Sequence, residues 1–479
     1  VRFLHALAEV ANEMCKDNVM PTRPQAEAWS SAEKGLMLSS VILITLSAFE
    51  SLATTTIMPN VVASFHADSW FAVSSGAALI TNLIANVLAG GLSDALGVKK
   101  VFAWGLGLFC VGLLVSALAP HIAVFVLGRL VQGLGGGFII VPLYVLIGAI
   151  ATPLHRPRYF AAFSLSWVFP SLVGPALAGI IVTYIGWRVV FGVAPLLAAI
   201  GAIPLHSVLK NFSIPSQGVA PSLRFVRLAL GSGIGVFLLQ ISGTFTSIWA
   251  MVLVGFAGLT LSAITLPRLL PPGSFSLKRG IPALVATRLL MMGAVTGAEV
   301  VLPLLLQRVQ GWTPSSASLV VTASALSWAA GSVIQSHIHV GKNRLRLPRI
   351  GMVFVVIGLA PLTMLLQTPA PHWPIFIAWL LAGLGVGLTH STISDLTLGS
   401  TDPSMHGRAS SWLQVADSAG AAVELAFVSL ALALWNAIGF AGPIAYLPAT
   451  VIALGVAVVG AFAAMRTREE DLLPRASAQ

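Results

Sequence analysis

Charge is what this sequence has least of. Only 9% of its 479 residues are Asp, Glu, Lys or Arg, against 57% hydrophobic residues and a mean hydropathy of +0.91. No soluble core needs so much apolar surface, so an ordinary water-soluble protein is excluded. Cysteine is nearly absent as well. Cys15 and Cys110 cannot build a disulfide framework, and no Cys/His cluster has metal-ligand spacing. A catalytic set such as Gly-x-Ser-x-Gly in a fitting context is missing too, so neither an enzyme nor a cofactor is expected. A substantial soluble domain, which would favour a receptor or an enzyme, is also lacking.

Long apolar runs take the place of charge. A helix crossing the roughly 30 Å hydrocarbon layer needs about 20 mainly apolar residues at roughly 1.5 Å per residue. Such runs lie at about 36–58, 69–92, 101–119, 122–149, 159–183, 187–206, 224–242, 245–267, 283–307, 314–336, 349–367, 374–397, 409–434 and 443–465, fourteen in all. They divide the chain into a polar N-terminal segment (1–35), a six-helix half (36–206), a linker with two extra crossings (207–282), a second six-helix half (283–465) and a tail (466–479). The first run is too long, and too plainly followed by others, for a cleaved signal peptide. The chain opens with Val1, and MPTRPQAEAW from Met20 has the form of a start. Residues 1–19 are then either an upstream extension or part of a chain begun on a valine codon.

The net charge of +10 raises nucleic acid as a partner, and its placement argues against one. With the N-terminus set in the cytoplasm and each crossing followed in turn, the 26 Lys and Arg fall on the cytoplasmic side except for Arg129, Arg188, Arg288 and Arg308. That is the positive-inside distribution of a multi-pass protein with both termini cytoplasmic. One missing crossing would carry the loop HVGKNRLRLPR (339–349) outside. The basic balance therefore reports topology in a bilayer.

The short loop after the second run, GGLSDALGVKK (90–100), concentrates an aspartate, a glycine and two lysines between nearly uncharged stretches. It resembles the signature loop of the major facilitator superfamily, G-x-L-a-D-r-x-G-r-k. Gly90, Leu92, Asp94, Gly97 and Lys99 match, while Ala95 and Val98 replace the pattern's arginines. Further matches follow in the family's order. RLVQGLGGG (129–137) is similar to the fourth-helix R-x-x-q-G-x-g. PSLVGPALAG (170–179) resembles the fifth-helix antiporter pattern g-x-x-x-G-P-x-x-G-G, keeping Gly174, Pro175 and Gly179 while Pro170 and Ala178 depart from it. GWRVVF (186–191) is like the W-R-x-x-F of drug transporters, and FESLATTTIMP (49–59) keeps an acid nine residues before a proline, with Glu50 in place of the commoner Asp and Pro59 at the end.

The resemblance spans residues 36–465 and takes the form of the fourteen-helix branch, which contains many drug:proton antiporters. It implies an all-α integral membrane protein: two six-helix halves with two extra helices between them, fourteen transmembrane helices in total. It also implies that Asp94 meets the start of the family's eleventh helix, here GRASSW (407–412), in one conformation only. There free backbone N–H groups, a positive dipole end and Arg408 await it. A contact made in one state biases the equilibrium between states, so the loop is expected to act as a conformational latch. The Gly174–Pro175 motif implies a kink that helps the halves seal and rock, although a proline frees a carbonyl in any helix.

An internal repeat supports two related halves independently. GLGGG at 133–137 recurs as GLGVG at 383–387, and Glu50 recurs as Glu299, at offsets of 250 and 249. The glycines also have a plainer reading, since small residues let membrane helices approach closely.

Charges inside the bilayer need a partner or a function, because one at a helix centre costs about 2.5–3.5 kcal/mol even on the insertion scale. Glu50, Arg129, Glu299, Asp417 and Glu424 are placed well inside. Glu50 lies nine residues before Pro59, about 13 Å below the outer surface, and Arg129 lies seven residues into its helix, about 11 Å down. The two are level, and Glu299 reaches the same level from the other half. Glu50, Arg129 and Glu299 are expected to couple protons, against the alternative of a neutral core acid and a carbonyl-bound guanidinium. Asp417 and Glu424, seven apart, share a helical face and with His390 are candidate polar groups of a cavity, His390 being more simply a packed polar residue.

A channel would explain the crossings but not the paired acids. The expected function is a proton-coupled exporter of small amphipathic or cationic molecules, working as a monomer in a bacterial plasma membrane. The alternative is a facilitator or importer of a small metabolite or organic anion with the same fold.

Overall fold

The computed structural model describes residues 28–67, 70–211, 221–242, 245, 247–312, 314–338, 342–366, 372–437, 439–440, 442–468 and 471. Most of the segments expected at 1–35 and 466–479, including the question of the start at Met20, lie outside them. The described residues form fourteen α-helices: α1 (Ser31–Ser64), α2 (Phe71–Leu96), α3 (Val98–Ala117), α4 (Ile122–Ile150), α5 (Arg156–Tyr184), α6 (Trp187–Asn211), α7 (Leu223–Ser242), α8 (Ile248–Leu269), α9 (Ile281–Leu304), α10 (Pro314–His337), α11 (Arg346–Leu359), α12 (His372–Gly399), α13 (His406–Ala437) and α14 (Leu447–Met465). Each apolar run falls on one of them. By length and composition, ten are able to cross a membrane, or eleven with the bent α5 counted as one span.

The first helix starts five residues earlier than the apolar run because Ser30 and Glu33 form a capping box. The Ser30 hydroxyl accepts the Glu33 N–H at 3.1 Å and the Glu33 carboxylate accepts the Ser30 N–H at 2.9 Å. Glu33 is buried. Its carboxylate also lies 2.8 Å from His155 Nδ1, and Trp29 stacks on that imidazole with centroids 4.3 Å apart. Part of the chain ahead of residue 36 is thus anchored against the start of α5. The turn between α2 and α3 is set by Gly97 at φ +89°, a left-handed conformation that side chains disfavour, with open space around it.

The two halves repeat one packing scheme. In the first, α1 packs on α5 and α6, α4 on α2 and α3, and α3 on α6; in the second, α9 packs on α13 and α14, α12 on α10 and α11, and α11 on α14. The repeated glycines make these contacts possible. A β-carbon at Gly133 would strike Ala78 and Thr81 of α2, and one at Gly383 would strike Ser324 and Ser327 of α10. Gly135 faces α3 at Phe109 and Gly105, as Gly385 faces α11 at Gly351 and Phe354. Lipid tails are as apolar as side chains, so close backbone approach replaces hydrophobic driving force as the source of cohesion. The plainer reading of both glycine clusters therefore has a geometric basis.

The extra helices pair with each other through Gly235, Gly258 and Ser262, and α7 leans on α2 and α13. On α8, Trp249, Leu253 and Phe256 point outward, 67–81% exposed, as lipid-facing side chains should be.

Candidate functional site

The halves meet chiefly through the second helix of each and the fifth helix of the other, α2 with α13 and α5 with α10. On α2, Gly90 allows the approach. A β-carbon there would collide with the Gly407 carbonyl and the Ser411 side chain of α13. One turn further on, the Gly407 N–H donates to Asp94 Oδ1 at 3.2 Å, and the Ser411 hydroxyl donates to the Asn86 carbonyl at 2.7 Å. The contact expected of the signature loop is present at the start of α13. The charge meets backbone N–H groups at a helix start, while the exposed Arg408 lies 5.8 Å over the Trp412 ring. Lys99 is exposed in the first turn of α3.

The related contact between α5 and α10 has different chemistry. Ser164 and Ser332 hydroxyls lie 2.7 Å apart, and Gln335 Nε2 donates to the Pro157 carbonyl at 3.1 Å. Arg344 fixes that amide by donating to Gln335 Oε1 at 3.1 Å, while its Nε lies 3.0 Å from Asp395 of α12. Among the described residues, hydrogen bonds joining the halves fall toward the end of the bundle that carries the signature loop. That end is closed.

Away from that end, Glu50 of α1 and Arg129 of α4 form a buried ion pair through Oε1 and Nη1. Thr54 donates to the same carboxylate oxygen at 2.7 Å, and Arg129 also donates to Gln132 Oε1 at 2.6 Å. The guanidinium stands 5.8 Å over the Phe191 ring. Each charge thereby keeps a partner in a setting where a lone one would be expensive.

A second ion pair lies in the other half. Arg288 of α9 is fully buried and grips Asp417 of α13 with two bonds, Nε to Oδ1 at 2.7 Å and Nη2 to Oδ2 at 2.5 Å. His390 Nε2 of α12 lies 3.2 Å from the same carboxylate, Ser394 accepts from Arg288, and the Tyr144 hydroxyl of α4 faces the guanidinium from the first half. His390 is therefore a member of a charged network, with Trp328 against its ring at 5.8 Å. In the sequence Arg288 stands out only as an exception to the positive-inside distribution. The available signal was an arginine seven residues inside a helix with no other cation in its span, which needs an acid such as Asp417 nearby.

Glu424 and Glu299 are placed differently. Glu424 is 4% exposed and lies against Gly293 and Gly297 of α9, its Oε1 without a hydrogen-bond partner. Glu299 is on α9, two residues beyond Gly297, and no described ion pair includes it. Of the kink motif, Gly174 lies against Phe49 of α1 and Gly179 meets open space. The helix bends by 44° between its Arg156–Gly174 and Leu177–Tyr184 stretches, across Pro175, while Pro170 lies ahead of the bend.

Comparison with known proteins agrees with this architecture. The chain is 22% identical over 395 residues to multidrug resistance protein 3 of Bacillus subtilis, covering 80% of this chain and 76% of the relative. It is 26% identical over 355 residues to the methylenomycin A resistance protein of Streptomyces coelicolor, covering 72% and 74%. The crystal structure of the human organic anion transporter MFSD10 (TETRAN) superposes with a TM-score of 0.68 at 15% identity, over 90% of this chain and 99% of that one, which is a likeness of fold. The family profile described as Major Facilitator Superfamily matches residues 37–424. With its repeated halves, its signature loop docked on α13 and its apolar helices, this chain belongs to the major facilitator superfamily of membrane transporters.

Proposed function

We propose that this transporter is a proton-coupled antiporter that exports small amphipathic or cationic molecules by alternating access. It would cross a plasma membrane fourteen times as a monomer, with both termini cytoplasmic. The observation that carries the proposal is the buried Glu50–Arg129 pair between α1 and α4, level with the interior of the bundle and away from the closed end. Kept together, the two charges neutralise each other. Separated by a helix movement, they leave a buried carboxyl whose least costly form is neutral, so the pair can take a proton in one conformation and yield it in the other.

In the orientation set by the basic loops, the end held by Asp94–Gly407 and Gln335–Pro157 is cytoplasmic, and the conformation is closed to the cytoplasm. Protons entering from outside would then reach Glu50 as substrate leaves. The names of the multidrug and methylenomycin resistance relatives favour export. Purified protein in proteoliposomes, tested with cationic and anionic dyes with and without an imposed pH gradient, tests the proposal. Gradient-driven movement of cationic dyes is expected; equal flux without a gradient, or movement of anionic dyes alone, would favour a facilitator or an organic-anion carrier.

A further inference from the structure

Where α5 of the first half meets α10 of the second, the closed end keeps a pocket of about 80 Å³. Pro153, Pro157 and Arg158 line one side, and His337, Ile338 and Arg344 the other. One water needs about 10–15 Å³ on the same measure, so the pocket has room for several waters or one phosphate group. Among the described residues no acid lines it. Arg344 is buried and engaged: it donates to the Ile338 carbonyl at 3.2 Å and to Gln335 Oε1 at 3.1 Å, with its Nε 3.0 Å from Asp395. Arg158 is exposed in the first turn of α5, and no described hydrogen bond or ion pair engages its guanidinium. The Val333 carbonyl takes His337 Nδ1 at 2.9 Å, which leaves Nε2 for a ligand.

Charge at this seam is unbalanced. Arg156 of α5 donates to the Gly148 and Ala151 carbonyls at 2.7 and 3.2 Å and shares the field of Asp395 with Arg344. One carboxylate thus serves guanidinium groups from both halves, and Arg158 adds another cation with no acid of its own. The remaining described acids at this end are engaged elsewhere: Glu33 by His155, Asp94 by Gly407, Asp402 by Ser404 and Asp471 by the Arg468 N–H. Bringing like charges of two halves together costs free energy, and an anion held between them offsets that cost. The helix faces that carry the pocket continue as apolar surface. Leu165 and Leu172 follow Arg158 at intervals of seven residues, and Ile334 and Leu326 precede His337 by three and eleven, all 47–49% exposed. A phospholipid whose phosphate enters the pocket gains contact along this surface; free phosphate does not.

We infer that this pocket binds a phosphate group, supplied by an anionic phospholipid of the surrounding leaflet, which bridges α5 and α10 and favours the conformation closed at this end. Arginine offers phosphate paired N–H donors, and a basic pocket between membrane helices at the cytoplasmic surface suits a lipid headgroup. Arg158 belongs to one half and His337 and Arg344 to the other, so separation of the halves dismantles the site. The lipid therefore binds the closed form and lengthens its stay. Neither the transported substrate nor proton coupling enters into this.

The test reads the opening of the α5–α10 contact in a defined lipid. Full-length protein with Cys15 and Cys110 replaced and Ser332→Cys added is placed in nanodiscs of phosphatidylcholine, alone or mixed with phosphatidylglycerol. The cysteine is then labelled with an uncharged, membrane-impermeant maleimide. Phosphatidylglycerol should slow labelling several-fold. Arg158→Gln, at an exposed position that leaves the packing intact, should remove the slowing, and Arg158→Lys should keep part of it. Inorganic phosphate added to phosphatidylcholine discs forms a separate arm, in which little change is expected. Slowing by inorganic phosphate without any by phosphatidylglycerol would overturn the lipid as the source. Equal rates under all conditions, or the same slowing by phosphatidylglycerol in Arg158→Gln, would overturn the site.

Discussion

The docking of α2 on α13 makes a quantitative prediction about conformational balance. In the closed form the Asp94 carboxylate accepts the Gly407 N–H at 3.2 Å, at a half-buried helix end. A hydrogen bond to a charged group contributes about 1.5–3 kcal/mol and a neutral one about 0.5–1.5, so Asp94→Asn should weaken the closed form by about 1 kcal/mol. That is roughly a fivefold shift toward opening at this end. Gly90→Ala should act more strongly, because its β-carbon would collide with the Gly407 carbonyl and Ser411 only while the helices are docked. Overpacking of this kind costs about 1–3 kcal/mol, or roughly 5- to 150-fold in the same equilibrium. Ser332 is fully buried at the closed contact between α5 and α10, so a cysteine there reports the opening. With Cys15 and Cys110 replaced, labelling of Ser332→Cys by a membrane-impermeant maleimide should speed up about fivefold with Asp94→Asn and further with Gly90→Ala. Equal labelling rates in all three proteins, at normal transport, would refute the latch.

The Arg288–Asp417 pair should matter for assembly, since removing one partner of a buried pair costs about 3–5 kcal/mol. Arg288→Met or Asp417→Asn should sharply lower thermal stability in detergent, and joining Arg288→Met to Asp417→Leu should recover part of it; full stability of either single variant would show that the pair is dispensable. Gly97→Ala meets no neighbour, yet forces a side chain into a left-handed backbone at φ +89°. A loss of about 1–3 kcal/mol is expected from strain alone, read as a lower melting temperature; unchanged stability would show that the turn tolerates a side chain.

Much of this organisation can be read from the sequence because the membrane enforces simple rules. Apolar runs must be helical to satisfy their backbone, so all fourteen coincide with helices. The GLGGG and GLGVG repeats reflect the same close helix approach in each half, and the rise per residue sets Glu50 level with Arg129, where the two pair. Partners distant in sequence were harder to assign. Asp94 meets the N–H groups expected of it, because a helix start offers donors whatever its sequence, while the Arg408 side chain, also expected there, lies over Trp412. Arg288 stands out in the sequence only as an exception to the charge distribution and Asp395 not at all, although each lies far enough inside its helix to need a partner. Glu33 was assigned to a polar segment despite the Ser-x-x-Glu signal of a capping box, and its link to His155 crosses 122 positions. Burial of that pair depends on how α1 packs against α5, which local pattern does not reveal.

Gradient-driven transport by a Glu50→Gln protein tests the central claim most directly. Glutamine mimics the protonated acid and can still accept from Arg129, so the variant should bind and exchange substrate in proteoliposomes with no gradient. An imposed pH gradient should then fail to accelerate net dye movement, while the wild type responds strongly. Full pH-driven transport by Glu50→Gln would contradict a proton-carrying role for this carboxyl.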